Sequence, residues 1–335
     1  MNRKHVFLAL IIFALTILLA SCDYFSPARS SIPTNEVLAQ LDDMGEVTAI
    51  DWRSDGTQLL IGSVDQLYIY DVESDTLTQL NWSGGGPVTD VAWQPMGQMI
   101  VATNSPDVEL WDSETRAVQI SLESHIQYRI FNSAAWSPSG DILAVTSSGT
   151  APRGMVRFYD TSDFHVIHTI ASDLSQIEQV GYSDLAFSPH DSNQVAFANM
   201  GNHRIEVWNT TDWELVLELA GHEATITSLS WHGQNSWLAS SDRNGSVIIW
   251  DVSTGQEIDR YAVSSTLTAL DWKPSEDVLA VSSDDGVLLW NLSENTTVEL
   301  LGESANDVSW SPDGNLLATA LRDGVIILDM VTDEQ

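Results

Sequence analysis

The chain has 335 residues, of which 43% are hydrophobic and 18% are charged, so it has enough apolar content for a sizeable core. Its 47 acidic residues outnumber 13 basic ones, which gives a formal net charge of -34. Phosphate groups are bound by clusters of Lys and Arg, and none follows the first few residues, so nucleic acid is not expected as a partner. The same lack of basic clusters excludes a purely electrostatic attachment to anionic lipid.

The chain begins with a short basic stretch and an apolar run over residues 6–19. This run is shorter than the roughly 20 residues of a membrane-spanning helix and is typical of a secretory signal. It ends in Leu19-Ala20-Ser21-Cys22, which contains the only cysteine of the chain and resembles the lipobox of bacterial lipoproteins. The resemblance implies that residues 1–21 are a signal peptide and that Cys22 is lipidated. The alternative is an ordinary cleaved signal with an incidental cysteine.

Residues 22–35 are polar and rich in serine and proline, which predicts a flexible tether between the lipid and a folded domain. The predicted location is therefore the extracytoplasmic face of a membrane, either periplasmic or at the outer surface. A lone cysteine also excludes an intrachain disulfide bond and a zinc site built from several thiolates.

From residue 36 onward, one pattern recurs seven times at roughly 40 to 50 residues, which is the period of β-propeller blades. In each unit an apolar run ends at an aromatic residue and is followed by a turn rich in Pro, Gly or Asn and by two further apolar segments. The third segments, such as LYIYD and VIIWD, are almost unbroken apolar runs, which predicts strands covered on both faces. The seven aromatic residues are Trp52, Trp93, Trp136, Phe187, Trp231, Trp272 and Trp310.

The fifth unit contains Gly221-His222, Trp231, Leu238-Ala239-Ser240 and Trp250-Asp251, and it resembles a WD repeat. The resemblance covers about residues 36–335 and implies an all-β fold, a single seven-bladed β-propeller of the WD40 kind. It also implies that an N-terminal strand over residues 36–41 completes the last blade and so closes the ring.

In WD repeats a His, a Ser or Thr, an Asp and a Trp form a hydrogen-bonded core within a blade. The residues that this resemblance assigns to the core are His222, Ser240, Asn244 and Trp250, with Asn where the family has Asp. The role implied for all four is structural.

The chain contains no GxSxG, HExxH, P-loop or calcium-loop motif, so neither a catalytic site nor a metal site is predicted, and no cofactor is expected. The longest connections are residues 122–132, 147–155 and 171–181. In a WD propeller these three emerge on the same face. Arg and Tyr are enriched at interface hot spots, so this face is a candidate interaction surface. Its candidate residues are His125, Tyr128, Arg129, Phe131 and Arg153.

The leading hypothesis is a membrane-anchored, non-catalytic scaffold of the cell envelope that binds an unknown protein partner. The alternative is a propeller enzyme or a small-ligand-binding protein that uses the central channel. A permanent role in assembling envelope machinery differs from the first hypothesis mainly in the lifetime of the complex, and the sequence does not separate the two.

Overall fold

The computed structural model describes residues 36–82, 86–123, 129–149, 154–171 and 181–331. The described residues form 28 strands in seven four-stranded antiparallel sheets. These residues include no helix, and therefore no helix long and apolar enough to cross a membrane. This arrangement is a seven-bladed β-propeller, as predicted. The predicted signal peptide (1–21), the tether (22–35) and the lipidation site Cys22 lie outside the described residues.

The blades are numbered in chain order, and each contains four strands from the innermost to the outermost. The strands of blades 1 to 3 are β2 (Val47–Trp52), β3 (Gln58–Ser63), β4 (Leu67–Asp71) and β5 (Thr76–Leu80); β6 (Val88–Trp93), β7 (Met99–Asn104), β8 (Val108–Asp112) and β9 (Ala117–Glu123); and β10 (Arg129–Trp136), β11 (Ile142–Gly149), β12 (Met155–Asp160) and β13 (Val166–Ala171).

The strands of blades 4 to 7 follow the same order, and blade 7 takes its outermost strand from the N-terminal end of the domain. They are β14 (Tyr182–Phe187), β15 (Gln194–Asn199), β16 (Arg204–Asn209) and β17 (Glu214–Ala220); β18 (Ile226–Trp231), β19 (Trp237–Asp242), β20 (Ser246–Asp251) and β21 (Gln256–Ala262); β22 (Leu267–Trp272), β23 (Val278–Ser283), β24 (Gly286–Asn291) and β25 (Thr296–Leu301); and β26 (Ala305–Trp310), β27 (Leu316–Leu321), β28 (Gly324–Asp329) and β1 (Glu36–Asp42).

The predicted closure of the ring is present. Strand β1 pairs antiparallel with β28, from Glu36 opposite Asp329 to Asp42 opposite Gly324. Gly324 adopts a φ of +159°, and a Cβ atom at this position would lie 1.9 Å from the carbonyl oxygen of Leu41. Only glycine permits this approach of the two strands. The pairing joins the two ends of the domain and leaves no open gap between the first and last blades.

The hydrophobic core is divided among the seven interfaces between neighbouring blades. Seven clusters of buried side chains each draw on two adjacent blades, and each contains the aromatic residue that ends the innermost strand of the later blade. The second strand of each blade is almost wholly buried, whereas outer strands such as β17 are mostly exposed. A middle strand has no face toward water because both of its faces pack on neighbouring blades, which explains the unbroken apolar runs in the sequence.

Candidate functional site: the loop-bearing face and the central channel

The candidate interaction residues lie around the long connections of blade 3, and the structure describes few of them. His125, Tyr128 and Arg153 lie outside the described residues, and for Arg129 only the backbone, which begins β10, is described. Phe131 was wrongly predicted as a surface anchor, because its relative exposure is 3% and it packs in the core between blades 2 and 3. It belongs to β10, where it pairs with Ser147 of β11 immediately before a bulge.

The described residues that flank the three long connections lie side by side. Arg129, which lies in the predicted connection 122–132 and begins β10, pairs with Gly149, which lies in the predicted connection 147–155 and ends β11. Ser148 in turn forms a β-bridge with Gly181, the last residue of the third predicted connection. A Cβ atom on Gly181 would lie 2.5 Å from the Cα of Ser148, so this approach of blade 4 to blade 3 requires glycine. The three connections therefore start or end at one place on the same face.

Blade 5 contains a buried polar network that differs in one residue from the predicted one. His222 bonds through Nδ1 to Asp242 Oδ2 at 2.7 Å and through Nε2 to Ser240 Oγ at 2.7 Å, and Trp250 Nε1 donates to Ser240 Oγ at 2.8 Å. The acidic member is Asp242, and the assignment of Asn244 was wrong. Asn244 lies in the following turn, where its backbone N–H donates to Asp242 Oδ1.

The position of Asp242 explains the error. It is the last residue of β19, so its side chain points to the same side of the blade as Ser240, two residues earlier. Hydrogen bonds from His222 and from backbone N–H groups oppose the effect of burial, and together they hold the pKa of Asp242 below its usual range. The carboxylate is therefore ionised and keeps the imidazole in place.

The innermost strands line a central channel of about 450 Å³, and five aspartates project into its wall. Sequence reasoning missed this set. In each case the aspartate lies one or three residues before the aromatic residue that ends the strand, and that spacing was the available signal. The five residues are Asp51, Asp90, Asp184, Asp271 and Asp307.

Each of these carboxylates accepts a backbone N–H from the next blade around the ring, so the five of them tie neighbouring blades together. The acceptor and donor pairs, with their O···N distances, are Asp51 and Trp93 at 2.6 Å, Asp90 and Ala134 at 2.8 Å, Asp184 and Leu229 at 2.7 Å, Asp271 and Trp310 at 2.9 Å, and Asp307 and Ile50 at 2.9 Å.

Burial in the channel wall raises the pKa of Asp51 to about 8 and that of Asp90 to about 7. Desolvation is the main cause, and repulsion from neighbouring carboxylates adds to it, while the N–H bonds act in the opposite direction. The pKa values of Asp184 and Asp271 are raised to about 6, and that of Asp307 is also raised, again chiefly by burial. Protons therefore bind to the channel wall near neutral pH.

The tryptophans that end the innermost strands are held in two ways. At three interfaces a side chain from the turn of the preceding blade lies against the ring: Arg53 on Trp93 at 5.6 Å, Lys273 on Trp310 at 5.4 Å and His232 on Trp272 at 4.8 Å. Among the described atoms, the indole N–H groups of these three rings have no hydrogen-bond partner.

At three other interfaces the indole N–H instead donates to a backbone carbonyl of the preceding blade. The pairs are Trp52 with Ser309, Trp136 with Ala92 and Trp231 with Ala186. In each of these preceding blades, the residue that follows the strand-ending aromatic is Ser or Gln. Where Arg, Lys or His follows the aromatic residue, its side chain lies against the tryptophan ring of the next blade. Where Ser or Gln follows it, the tryptophan of the next blade instead donates a hydrogen bond to a backbone carbonyl.

A second ring of polar side chains surrounds the opposite end of the channel, around a cavity of about 710 Å³. Most of them donate to a carbonyl of the next blade, for example Thr48 Oγ1 to Val88 O at 2.7 Å and Asn306 Nδ2 to Val47 O at 2.8 Å. The ring comprises Thr48, Thr89, Asn132, Ser183, Thr227, Thr268 and Asn306. The polar groups of both channel ends thus serve to join the blades.

Within the described ranges, no group of three or more His, Cys, Asp or Glu side chains is placed to hold a metal ion. The five channel aspartates are spread over five blades and are each engaged by a neighbouring blade.

Three family models match separate parts of the chain. The model "WD domain, G-beta repeat" matches residues 213–251, which include β17 of blade 4 and the first three strands of blade 5 with its buried network. "Anaphase-promoting complex subunit 4 WD40 domain" matches residues 270–334, and "Eukaryotic translation initiation factor eIF2A" matches residues 47–179. These matches support the WD-repeat family. The unit with the complete His–Ser–Asp–Trp network is the one that the general WD-repeat model matches.

Two relatives of the chain are proteins of eukaryotes. The chain is 25% identical over 287 residues to "WD repeat-containing protein WDS homolog" of Arabidopsis thaliana, which covers 82% of this chain and 52% of that protein. It is 26% identical over 229 residues to "Minichromosome loss protein 1" of Schizosaccharomyces pombe, covering 66% of this chain and 26% of that protein. The chain thus spans between about a quarter and a half of the length of these relatives. The bacterial lipobox stays a prediction.

Proposed function

We propose that the protein is a membrane-anchored, non-catalytic scaffold that binds a protein partner through the loop-bearing face of blades 3 and 4. The observation that carries this proposal is the convergence of three long connections, whose flanks meet at Arg129, Gly149, Ser148 and Gly181. WD-repeat propellers generally act as protein-interaction scaffolds, and long loops on a rigid ring are where such proteins place their contacts.

The channel supports the same role. All five carboxylates that face it accept hydrogen bonds from neighbouring blades, so their arrangement is accounted for by ring assembly. A rigid, cross-linked ring is a suitable base for presenting loops, because a preorganised surface loses little entropy when it binds.

The partner is tested by co-purification from membranes of the native host in mild detergent. Wild type is compared with an Arg129→Ala, Arg153→Ala variant, and with Arg204→Ala as a matched control on blade 4, where Arg204 pairs with Glu218 at the surface. A partner that is retained by the control and lost from the double variant supports the proposal. A partner that is retained by all three proteins refutes the assignment to this face.

The membrane anchor is tested separately by expressing the full chain and a Cys22→Ser variant in a bacterium. We expect the wild type to partition into detergent and to carry a lipid on its N-terminal peptide by mass spectrometry, and the variant to do neither. An unlipidated wild-type N-terminus at Cys22, or cleavage elsewhere, would leave the ordinary signal peptide as the correct interpretation.

A further inference from the structure

The inter-blade grooves on the outer part of the ring differ in what fills them. Between blades 4 and 5, the side chain of Arg260 fills the groove. Its Nη2 donates to the carbonyl of Gly221 at 3.3 Å, its Nη1 donates to Ser246 Oγ at 3.2 Å, and it forms a bidentate pair with Glu257 at 2.9 and 2.7 Å. A Cβ atom on Gly221 would lie 2.8 Å from the Trp250 ring and 3.2 Å from this guanidinium, so the absence of a side chain at Gly221 leaves room for Arg260.

The equivalent groove between blades 5 and 6 contains no such side chain and forms a cavity of about 400 Å³. Strand register defines the equivalent positions. Glu257 lies opposite Trp250 and Arg260 opposite Ile248, and in the next blade Thr297 lies opposite Trp290 and Glu299 opposite Leu288. Glutamate therefore replaces the arginine, and threonine replaces its carboxylate partner.

The groove does not repeat the side-chain contacts of Arg260, since Gly286 replaces Ser246 and Thr297 replaces Glu257, and it offers other groups instead. Its apolar wall includes Tyr261, whose ring lies 5.4 Å from that of Trp290, together with Val263 and Leu288. Its polar border carries two carboxylates, Glu299 and Asp285. Within the described part of the chain, neither carboxylate takes part in a hydrogen bond or an ion pair with another side chain. The groove thus combines an aromatic wall with two unpaired negative charges.

We propose that the groove between blades 5 and 6 binds an arginine side chain presented by a partner protein. In the groove between blades 4 and 5, an arginine of the chain itself occupies the corresponding place, opposite Ile248 as Glu299 is opposite Leu288, and in the groove between blades 5 and 6 the two carboxylates are complementary in charge to such a group. Arginine fits better than lysine, since its planar head stacks on an aromatic face and pairs with carboxylates through several donors. The proposal extends the scaffold function to a second contact site on the ring and names the chemistry of its ligand.

The test uses the peptide acetyl-Gly-Arg-Gly-amide and its citrulline counterpart, which is nearly isosteric and uncharged. Binding is followed by fluorine NMR of the full chain labelled with 3-fluorotyrosine, in low salt, with the Tyr261 signal assigned from a Tyr261→Phe variant. We expect the arginine peptide to shift the Tyr261 signal with a Kd in the millimolar range, as suits a single partly exposed contact, and the citrulline peptide to bind at least fivefold more weakly.

Two variants locate the contact. Glu299→Gln removes one charge at constant size and should weaken binding of the arginine peptide at least threefold. The double change Thr297→Glu, Glu299→Arg places a glutamate opposite Trp290 and an arginine opposite Leu288, so the new arginine should fill the groove and abolish the shift. Gln40→Arg is the matched control, because it places an arginine at the equivalent position opposite Ile326 in blade 7 and leaves the 5/6 groove open. Its binding should remain within twofold of wild type.

Equal binding of the two peptides, no shift of the Tyr261 signal in the folded wild type, or unchanged binding by the groove-filling double variant would each overturn the proposal. Thermal melting of every variant checks that it is folded. Because the assay uses a free peptide and no cellular partner, failure here is independent of the outcome for the loop-bearing face.

Discussion

Replacing Asp51 by asparagine should make the stability of the protein less sensitive to a rise in pH between about 4 and 8. Burial raises the pKa of Asp51 to about 8 in the folded state, against 3.8 for an ordinary aspartate. Between these two values the folded protein holds a proton that the unfolded chain has released. The contribution of this group to stability is therefore fully present below about pH 4, and it is lost as pH rises toward 8.

The magnitude follows from the linkage relation. One proton bound by the folded state and not by the unfolded state lowers the free energy of unfolding by about 1.4 kcal/mol for each pH unit. The amide of the Asp51→Asn variant would keep an oxygen acceptor for the Trp93 N–H, which now bonds to the carboxylate at 2.6 Å, and it does not titrate. Between pH 5 and pH 7 the free energy of unfolding of this variant should thus rise relative to wild type by up to about 3 kcal/mol.

The measurement is urea unfolding of both proteins at pH 5, 6, 7 and 8. Asp112→Asn serves as the control, and its difference from wild type should stay constant from pH 5 to pH 8. Hydrogen bonds from the N–H and hydroxyl of Thr115 lower the pKa of this exposed carboxylate, so it stabilises the fold above about pH 4 and loses that effect in acid. A constant difference between Asp51→Asn and wild type across the whole range would show that Asp51 is ionised throughout, and would refute the reasoning.

Three further predictions concern positions where the structure names the responsible contact, and each is measured by chemical or thermal unfolding. Asp242→Ala leaves a buried imidazole and hydroxyl without their carboxylate and should lower the free energy of unfolding by about 3 kcal/mol. Asn244→Ala should change it by less than about 0.5 kcal/mol. Equal effects of the two changes would restore the original assignment of Asn244. Gly324→Ala places a methyl group against a backbone carbonyl of the closing strand and should lower the free energy of unfolding by about 2 kcal/mol or more. Gly302→Ala should be nearly neutral, because the new methyl group meets only a flexible glutamate side chain at 3.3 Å. Similar values for the two variants would contradict the close packing at Gly324. Deletion of residues 36–41 removes most of the closing strand and should lower the melting temperature of the entire domain in one transition; an unchanged melting temperature would show that the ring does not depend on this closure.

Sequence alone was sufficient for the architecture. A period of roughly 40 to 50 residues, an aromatic residue before each turn and unbroken apolar third strands predicted seven blades, because only stacked sheets bury both faces of a middle strand. The closing strand at 36–41 was also predictable, since the last unit lacks a fourth strand and the first has a spare one. These features are local and repeat seven times, so each copy reinforces the others.

Individual contacts were less accessible. Phe131 looked like a loop residue because it lies in the predicted connection 122–132, yet β10 begins at Arg129 and Phe131 packs in the core between blades 2 and 3. Asn244 and Asp242 are two residues apart, and sequence spacing does not show which side chain meets His222; the end of β19 decides it. The acidic channel escaped notice because its five aspartates are scattered along the chain from Asp51 to Asp307 and look like surface charge.

What the sequence by itself determined is the repeating unit: where strands begin and end, which of them are covered on both faces, and how the ring closes. Only the tertiary structure decided which side chains meet across the ring, such as Asp307 with the backbone of Ile50 and Glu299 where Arg260 stands in the blade before. The physical reason is that the formation of a blade depends on its local hydrophobic pattern. The hydrogen bonds and grooves between blades depend instead on strand register, bulges and burial. Those contacts arise only when seven sheets pack around one axis.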